Sequence, residues 1–223
     1  MTLIRSNPAF KPARTKFFYD HFNRLGKTIE EVALVFRQID LMCNAINEKT
    51  GHNIDSEEMY LMVISHINDH QYPLHEVDVS ALYLEMESLV FKHLPLPYSA
   101  DTHIVLEKLT AVEGPTFSLL SNTAFIKGST LKTVLKRIEL DSYFDFQLYS
   151  DETGMSKPNE KFFQLMLDKV KEVRGGEQFS TQEIIHIGDN IKADILGAES
   201  LGISSLLINS NERTILTLIE NGN

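Results

Sequence analysis

Two aspartates in the last quarter of the chain have a spacing that suggests chemistry. A mostly apolar run, 184–187, ends at Gly188-Asp189, and Asp194 follows after four intervening residues, where a helical pattern begins. Such a run before an amphipathic helix is typical of a buried parallel strand, and parallel sheets bind ligands at the carboxyl ends of their strands. Two neighbouring carboxylates repel each other unless a cation neutralises them, and their oxygens suit Mg²⁺. The structural alternative is that Asp189 caps the turn and Asp194 lies in the first helical turn, where the helix dipole favours it.

Two further polar positions come at the ends of predicted elements. Ser121-Asn122 follows the predicted strand 116–120, where a hydroxyl, an amide and backbone N–H groups can bind an anion. Lys157 precedes Pro158 and a helix, and its ammonium group can neutralise a phosphate or a pair of carboxylates. Each has an ordinary alternative, a helix cap for the Ser-Asn pair and a solvated side chain for the lysine. Their order along the chain, together with the two aspartates, favours a shared site.

The composition excludes several classes of protein. The 223 residues are 43% apolar without long biased tracts, which indicates a globular protein with a sizeable core. A formal charge of −10 disfavours nucleic acid and anionic lipid as partners. No apolar stretch is long enough to cross a bilayer, the first residues lack the features of a signal peptide, and a single cysteine, Cys43, excludes an internal disulfide. We therefore expect a cytoplasmic protein without a membrane partner.

The first half of the chain has a helical pattern. Residues 12–95 carry apolar side chains at helical spacing, with a capping box at Thr28 and Glu31 and a stop at Gly51. Nothing in this segment has the alternating pattern of a strand. We therefore predict a small α-helical domain over 12–95, after a short first segment, 1–11.

From residue 96 onward the pattern alternates between strands and helices. Pro95 and Pro97 interrupt the helical half, because proline cannot continue a helix. The predicted strands are 116–120, 146–149, 184–187 and 204–208. The predicted helices are 100–110, 129–138, 159–173 and 212–220. Alternation at this spacing indicates an α/β domain over 96–223 with a doubly wound parallel sheet.

Three of these segments together resemble the second, third and fourth motifs of the haloacid dehalogenase-like hydrolase superfamily. The matching segments are Ser121-Asn122-Thr123, the run SKPNEKFF at 156–163, and Gly188-Asp189 through Asp194 with Gly197-Ala198 and Gly202. They occur in the family's order and spacing over about residues 97–208. The helical segment is similar to the small α-helical cap that this family inserts after its first motif. The resemblance implies a Rossmann-like α/β core with a helical cap.

The resemblance also implies a role for each matched residue. Ser121 and Asn122 would hydrogen-bond a transferring phosphoryl group, and Lys157 would offset the charge of phosphate and nucleophile. Asp189 would bind Mg²⁺ directly, and Asp194 would support the metal shell. True dehalogenases of this superfamily work without a metal and differ at the fourth motif. The presence of Asp189 therefore favours a phosphatase.

The first motif of the family matches this chain only at its end. That motif is an apolar strand ending Asp-x-Asp-x-Thr-Leu/Val, whose first aspartate is the nucleophile, whereas the chain begins Met1-Thr2-Leu3. Thr2 matches the threonine of the motif, and no other segment supplies the two aspartates. We therefore expect the central first strand of the sheet to be missing from these 223 residues. We also expect the natural polypeptide to extend upstream of Met1.

More than one function follows from these patterns. By resemblance, the complete protein is a Mg²⁺-dependent phosphatase that hydrolyses a small phosphorylated metabolite through an aspartyl-phosphate, and the 223-residue chain is inactive because it lacks the nucleophile. The alternatives are a catalytically inactive protein of the same fold that binds a ligand, and a 2-haloacid dehalogenase. The sequence leaves the substrate and the oligomeric state open. Candidates for recognising the leaving group are polar side chains soon after the first motif: Arg14, Lys16, Tyr19, His21 and Arg24.

Overall fold

The computed structural model describes residues 2–220, which form a helical block and an α/β core. Met1 and residues 221–223, the outer ends of the predicted segments 1–11 and 96–223, lie outside the described residues. The α-helices are α1 Phe10–Phe22, α2 Ile29–Thr50, α3 Ser56–Ile67, α4 Val79–Lys92, α5 Thr102–Thr110, α6 Gly128–Arg137, α7 Ser150–Thr153, α8 Glu160–Val173, α9 Gly197–Glu199 and α10 Thr217–Glu220. The strands are β1 Ile4–Arg5, β2 Leu96–Pro97, β3 Ser118–Ser121, β4 Phe146–Tyr149, β5 Ile185–Gly188 and β6 Ser204–Leu207.

Helices α1 to α4 form the helical block that the sequence predicts. Helix α2 starts with the predicted capping box, in which the Glu31 amide donates to Thr28 Oγ1 at 3.2 Å and the Thr28 amide donates to the Glu31 carboxylate at 2.6 Å. The helix ends at Gly51, whose φ of 69° is left-handed and therefore suits glycine. Amphipathic helices pack by burying their apolar stripes together. The shared cluster includes Phe18, Val32, Phe36, Ile39, Cys43, Met59, Tyr60, Val63, Ile64, Ile67, Leu82, Tyr83 and Met86.

Two loops join the block to the core. Phe125, in the loop after β3, is buried in the cluster of the block, and its carbonyl accepts a hydrogen bond of 2.8 Å from Tyr60 Oη. Asn53, in the loop between α2 and α3, accepts a hydrogen bond of 2.8 Å from Ser150 Oγ at the end of β4. These contacts hold the block against the carboxyl ends of β3 and β4.

The core contains two pairs of parallel strands. β3 pairs with β4 from Ser118 opposite Phe146 to Ser121 opposite Tyr149. β5 pairs with β6 in the same parallel sense. The helix α8 covers this part of the core with an apolar face that packs beside β3 and α9. Parallel strands linked through helices are the α/β architecture that the sequence pattern predicts.

Within residues 2–220, the two parallel pairs are not hydrogen-bonded to each other. Leu3 packs against both of the apolar clusters that flank the space between them, one containing Ile187 and the other Leu119. Beyond Leu3 the chain forms a short antiparallel pair between Ile4–Arg5 and Leu96–Pro97. The arrangement agrees with the expectation of a missing central strand, because β3 and β5 belong to separate sheets in the described part of the chain.

The observed elements differ from the predicted ones in several places, among them the short strand Ile4–Arg5 and the helical turn Ser150–Thr153, neither of which the sequence analysis predicts. The proline-containing connector after the helical block contributes the strand β2. The helix that follows β5 begins as a π-helical turn, Ile191–Leu196, before it continues as α9. The predicted helix 212–220 is shortened to Thr217–Glu220, after a turn at Asn209 with a left-handed φ of 64°. Across the described residues, no helix combines the length and the apolar character that crossing a membrane requires.

Candidate active site

Lys157 lies in the loop before α8 and reaches both strand pairs. Its Nζ donates to the Leu120 carbonyl at 2.6 Å and lies 2.6 Å from Asp194 Oδ1. The two charged side chains are 9% and 7% exposed, so this is a buried ion pair. Leu120 belongs to β3, and Asp194 lies in the segment after β5. The ammonium group therefore connects the carboxyl ends of the two pairs, where the sequence analysis expected a shared site.

Both oxygens of Asp194 are engaged. Oδ1 faces Lys157 and lies 3.4 Å from His186 Nε2, while Oδ2 accepts from the backbone amides of Asp189 (3.0 Å) and Asn190 (2.9 Å). Burial acts to raise the pKa of Asp194. The hydrogen bond from His186, the charge and hydrogen bond of Lys157 and the Asn190 amide outweigh burial and hold that pKa well below its ordinary value. Asp194 is therefore a buried carboxylate that organises the loop after β5.

Asn122 positions the backbone of Lys157. Its Oδ1 accepts from the Lys157 amide at 2.7 Å, and its Nδ2 donates to the Lys157 carbonyl at 2.9 Å. The hydroxyl of Ser121 donates to the Asn122 carbonyl at 3.2 Å. The two predicted motif residues thus lie beside Lys157, and their contact with a phosphoryl group stays a prediction.

Asp189 lines an open groove at the carboxyl end of β5. Its Oδ1 accepts a hydrogen bond of 3.0 Å from Thr2 Oγ1, and the Thr2 carbonyl accepts one of 2.9 Å from Asn209 Nδ2. The structure therefore brings the predicted residues Thr2 and Asp189 together. The groove has a volume of about 400 Å³ and is lined by Glu48, Asp189, Asn190, Ile191, Lys192 and Ser210.

The oxygen donors around Asp189 suit a magnesium site in which the protein supplies few ligands. Mg²⁺ binds proteins through one or two carboxylates and keeps waters or phosphate oxygens as its other ligands. Asp189 places such a carboxylate at an open groove, where its Oδ1 accepts from Thr2 Oγ1, and Asp194 faces Lys157 and backbone amides. Among residues 2–220, no three His, Cys, Asp or Glu side chains cluster so that they could hold a metal ion by themselves. The residues fit an ion for which Asp189 is the direct ligand and Asp194 a supporting residue.

Close packing explains why two matched positions are glycine. A Cβ at Gly188 would lie 2.2 Å from Asp194 Cγ, so a side chain there would displace the carboxylate. A Cβ at Gly197 would lie 2.7 Å from the Phe163 ring. Both glycines therefore let the segment after β5 approach its neighbours closely.

The comparison with known families agrees with this geometry. The sequence model of the haloacid dehalogenase-like hydrolase family matches residues 39–208, which is more than half of the chain. The chain belongs to this family. The match includes Ser121, Asn122, Lys157, Asp189 and Asp194, and it confirms the resemblance seen in the sequence.

Several curated relatives of this haloacid dehalogenase-like protein are named as phosphatases. The chain is 28% identical over 180 residues to a ribulose-1,5-bisphosphate 5-phosphatase of Halopiger xanaduensis, which covers 77% of this chain and 66% of the relative. It is 30% identical over 118 residues to a glyceraldehyde 3-phosphate phosphatase of Methanothermobacter thermautotrophicus, covering 52% and 45%. It is 33% identical over 79 residues to the pyrimidine 5'-nucleotidase YjjG of Escherichia coli, covering 35% and 32%. The chain spans between about a third and two thirds of the length of these relatives.

Solved structures of the same family share the fold. The HAD-hydrolase YfnB of Bacillus subtilis, bound to magnesium, has a TM-score of 0.68 at 15% identity over 95% of this chain and 86% of its own. A HAD phosphatase from Thermococcus onnurineus has a TM-score of 0.65 at 21% identity, covering 98% and 92%. The L-2-haloacid dehalogenase of Xanthobacter autotrophicus has a TM-score of 0.58 at 19% identity, covering 99% and 79%. These likenesses show the Rossmann-like core with its helical block.

The structure adds His186 to the site, a residue that the sequence analysis did not single out. It lies on β5, with its ring edge-on to Phe163 at 5.2 Å between centroids. Burial lowers the pKa of His186, its hydrogen bond to Asp194 acts in the opposite direction, and the charge of Lys157 lowers it further. The net pKa is below the ordinary value, so the imidazole is neutral at pH 7. The sequence did contain one indication of this residue, because His186 is the only polar residue in the otherwise apolar run 184–187.

Proposed function

We propose that this protein is a Mg²⁺-dependent phosphatase that acts on a small phosphorylated metabolite through an aspartyl-phosphate intermediate. The observation that carries the proposal is the position of the Lys157 ammonium, buried where the carboxyl ends of β3 and β5 approach each other. Parallel sheets bind their ligands at this edge. In a protein of net charge −10, a local cation is needed to attract a phosphate against the overall field.

Each residue around Lys157 has a role in this proposal. Lys157 offsets the negative charge of the phosphoryl group, and Ser121 adds a hydroxyl donor beside it. Asn122 keeps the Lys157 backbone in place through its two hydrogen bonds. Thr2 orients the Asp189 carboxylate. Asp189 would hold Mg²⁺, with Asp194 in support, and the bound ion would neutralise charge on the phosphate oxygens.

The names of the relatives support phosphate-ester hydrolysis and a class of substrate, but no single substrate. The names of the three relatives denote a sugar bisphosphate, a triose phosphate and pyrimidine nucleotides as their substrates, each a small phosphorylated compound. Because these compounds differ from one another, the proposal names a class of substrate. The magnesium in YfnB supports the choice of metal.

We propose that the nucleophile is an aspartate on a strand that fits between β3 and β5. The sequence contains no Asp-x-Asp pair, and the described strands leave β3 and β5 in separate sheets. A strand placed there would give both inner edges a hydrogen-bonding partner and would bring its carboxyl end beside Lys157. The 223-residue polypeptide would then hydrolyse no phosphomonoester, whatever the metal.

The experiment compares two polypeptides. The intact mass of the protein from its natural source is measured against the 25.4 kDa of these residues. Phosphate release from a panel of phosphomonoesters is then assayed for both forms, with and without Mg²⁺. We expect no turnover from the 223-residue form and Mg²⁺-dependent turnover from a natural form that is heavier by at least a strand.

Two substitutions in the active form sharpen this test. Asp189→Asn should abolish turnover, while Asp20→Asn, at an exposed aspartate paired with Lys16, should leave it unchanged. Mg²⁺-dependent turnover by the 223-residue form that Asp189→Asn abolishes would contradict the inactivity that we propose. Turnover of the natural form that survives Asp189→Asn would contradict the assigned metal ligand.

A dehalogenase is the second candidate, because the structural neighbours include an L-2-haloacid dehalogenase. Asp189 argues against it, since a carboxylate at this place suits a metal-assisted phosphoryl transfer. The same assays, run with 2-haloacids and a halide readout, separate the two. Halide release without a metal and no phosphate release would replace the phosphatase proposal.

A binding protein without catalysis is the third candidate, and the Lys157–Asp194 pair favours it. In the structure the buried ammonium of Lys157 already has Asp194 as its counter-charge, so the pair is formed without a nucleophile or a metal. If the natural polypeptide has the mass of these residues and no turnover, equilibrium binding of inorganic phosphate becomes the assay of choice. Loss of that binding in Lys157→Met would then support an anion-binding role.

We also propose that the protein is cytoplasmic and has neither nucleic acid nor a membrane as a partner. The supporting observations are the net charge of −10 and the lone thiol of Cys43, which suits a reducing compartment. Fractionation of cells that express the natural protein tests the location. Recovery in the membrane fraction at high salt would contradict it.

A further inference from the structure

Arg14 is buried between aromatic rings at the junction of the helical block and the core. It lies in α1 and is 7% exposed. Its Cζ lies 3.9 Å from the ring centroid of Phe36, 4.7 Å from that of Phe125 and 5.6 Å from that of Phe10. Phe36 belongs to α2, and Phe125 to the loop after β3. The guanidinium therefore lies in an aromatic cage that three separate segments build.

The other candidates for recognising a leaving group lie at the surface of the block. Lys16 pairs with Asp20 one helical turn away. Arg24 lies 3.6 Å from Glu76. Tyr19 and His21 are exposed as well. Of the five residues that the sequence offered, Arg14 is the one that the fold encloses.

The Arg14 guanidinium has no hydrogen-bond acceptor among residues 2–220. Its Nε is fully enclosed without a partner, and none of its nitrogens forms a salt bridge in this part of the chain. Burial lowers the pKa of Arg14, while Tyr60 and Asp40 act in the opposite direction. A buried cation without a salt-bridge partner is costly, and cation–π contacts offset only part of that cost. The side chain therefore gains from an anion that reaches it.

The cage lies near the candidate active site. Phe125 follows Asn122 by three residues, and three residues span at most about 11 Å. Asn122 in turn bonds to both backbone groups of Lys157. The cage and the candidate active site therefore share the loop after β3, and a ligand that engages both must span the distance between them.

We propose that Arg14 binds a second anionic group, a phosphate or a carboxylate, on the leaving-group side of the substrate. The inference rests on the proposed function and specifies its substrate class as phosphomonoesters that carry a further negative charge. A guanidinium suits this task because its planar fork can donate two parallel hydrogen bonds to one anionic group. The rings of Phe36 and Phe125 keep the fork in one orientation.

The test is a titration of the 223-residue protein by calorimetry, in the presence of Mg²⁺ and at constant ionic strength. The probes are short alkyl phosphates and the same alkyl chains ending in a second phosphate or a carboxylate. We expect the doubly anionic probes to bind at least about tenfold more tightly, which corresponds to about 1.4 kcal/mol. Arg14→Gln should abolish this preference and leave the affinity for the alkyl phosphates unchanged.

Two variants serve as controls. Lys16→Gln removes a positive charge from the same helix at an exposed position and should keep the tenfold preference. Arg14→Lys keeps the charge without the planar fork and should retain only part of the preference. An equal loss in Lys16→Gln and Arg14→Gln would mean that general charge attraction causes the preference, and would overturn the inference.

The outcomes separate this inference from the proposed function. Alkyl phosphates that bind, with no gain from a second anion, would overturn the role of Arg14 and leave the phosphatase proposal standing. Doubly anionic probes that bind through Arg14, with alkyl phosphates that do not bind at all, would support the anion site and contradict the phosphoryl site at Lys157. No binding by any probe would overturn the anion site at Arg14 and the phosphate site at Lys157 in the 223-residue protein, and the assay of the natural form would then decide the phosphatase proposal.

A measurement on the unmodified protein covers the case in which Arg14→Gln does not fold. The enclosed Nε–H of Arg14 should give a slowly exchanging side-chain signal in an ¹⁵N-resolved NMR spectrum. We expect doubly anionic probes to shift this signal and alkyl phosphates to leave it in place. If no probe changes the chemical shift of this signal under conditions where calorimetry detects binding, Arg14 has a purely structural role.

Discussion

The helical block and the α/β core differ in what fills their interiors. The block buries one continuous cluster of aromatic and branched side chains from four helices. The core has smaller apolar clusters, and charged and polar side chains meet at the junction between the carboxyl ends of β3 and β5: Lys157, Asp194, His186 and Asn122. Close-packed apolar interiors favour stability, whereas buried charges lose solvation that their pairing only partly returns.

The comparison indicates a division of labour. The block is held together by one apolar cluster, to which the core contributes Phe125, and its helix α2 is capped at both ends by residues of the block. In the core, the charged and polar residues of the candidate site lie at the carboxyl ends of two strand pairs that are not hydrogen-bonded to each other in the described part of the chain. Functional sites often violate the rules that stabilise the rest of a protein, and this junction is such a place.

The largest loss of stability, measured as the free energy of unfolding, is expected from breaking the buried ion pair between Lys157 and Asp194. Lys157→Met leaves the Asp194 carboxylate buried without its cation, and removal of one partner of a buried pair costs about 3 to 5 kcal/mol. Urea denaturation followed by circular dichroism measures the loss. The matched control is Lys132→Met, at an exposed pair with Glu152, which should cost less than about 1 kcal/mol.

A double variant separates charge burial from packing in this prediction. Lys157→Met combined with Asp194→Leu removes both charges, so it should recover part of the stability that the single variant loses. If Lys157→Met costs no more than Lys132→Met, the pair is more hydrated in solution than the structure indicates. The contrast between block and core would then lose its main support.

The next largest loss of stability is expected where the backbone of Gly188 lies close to the side chain of Asp194. Gly188→Ala places a Cβ 2.2 Å from Asp194 Cγ, and overpacking of this kind typically costs about 1 to 3 kcal/mol. Urea denaturation again gives the measurement, with Ser204→Ala on the exposed end of β6 as the control. The cost should shrink when Asp194 is also replaced by glycine, because Asp194 Cβ too would lie 2.3 Å from the added Cβ. Full additivity of the two substitutions would contradict a clash between them.

The comparison also shows which features the sequence could predict. The capping box of α2, the strand 146–149 and the alternation of the core follow from local patterns, and the structure confirms them. The grouping of Lys157 with Asp194 followed from the rule that the carboxyl ends of parallel strands share one edge of a sheet. Local chemistry and strand order were sufficient for these features.

Other features depend on partners that are distant in the sequence. The side chain of Asn122 bonds to a residue 35 positions away, which gives it a positioning role that local sequence did not indicate, while its contact with a phosphoryl group stays a prediction. The cage around Arg14 draws on α1, α2 and the loop after β3. An arginine is ordinarily exposed, so its burial could not be foreseen from residue type or helical period. Tertiary contacts decide these roles.

The block offers a pH-dependent test of its dry interior. Cys43 is fully buried, and burial, with smaller contributions from Asp40 and Glu58, raises the pKa of its thiol from 9.0 to about 11. Between these values the unfolded chain loses the thiol proton while the folded protein keeps it, so stability is complete below pH 9 and falls as the pH rises to 11. Relative to Cys43→Ala, the loss should approach at most about 1.4 kcal/mol per pH unit. Parallel pH curves for the two proteins would show that the thiol is solvated.

The smallest loss of stability is expected from removing the cap at the start of α2. Thr28→Ala removes the acceptor for the Glu31 amide, and loss of such a cap costs about 1 kcal/mol. Thr50→Ala, at the other end of the same helix and exposed, is the control and should cost less. Labelling of Cys43 during urea denaturation reports the block directly, because the thiol becomes reactive only when the cluster opens. Thr28→Ala should shift the labelling transition by more than Thr50→Ala does. Equal shifts for the two variants would mean that the Thr28 cap adds no measurable stability to the block.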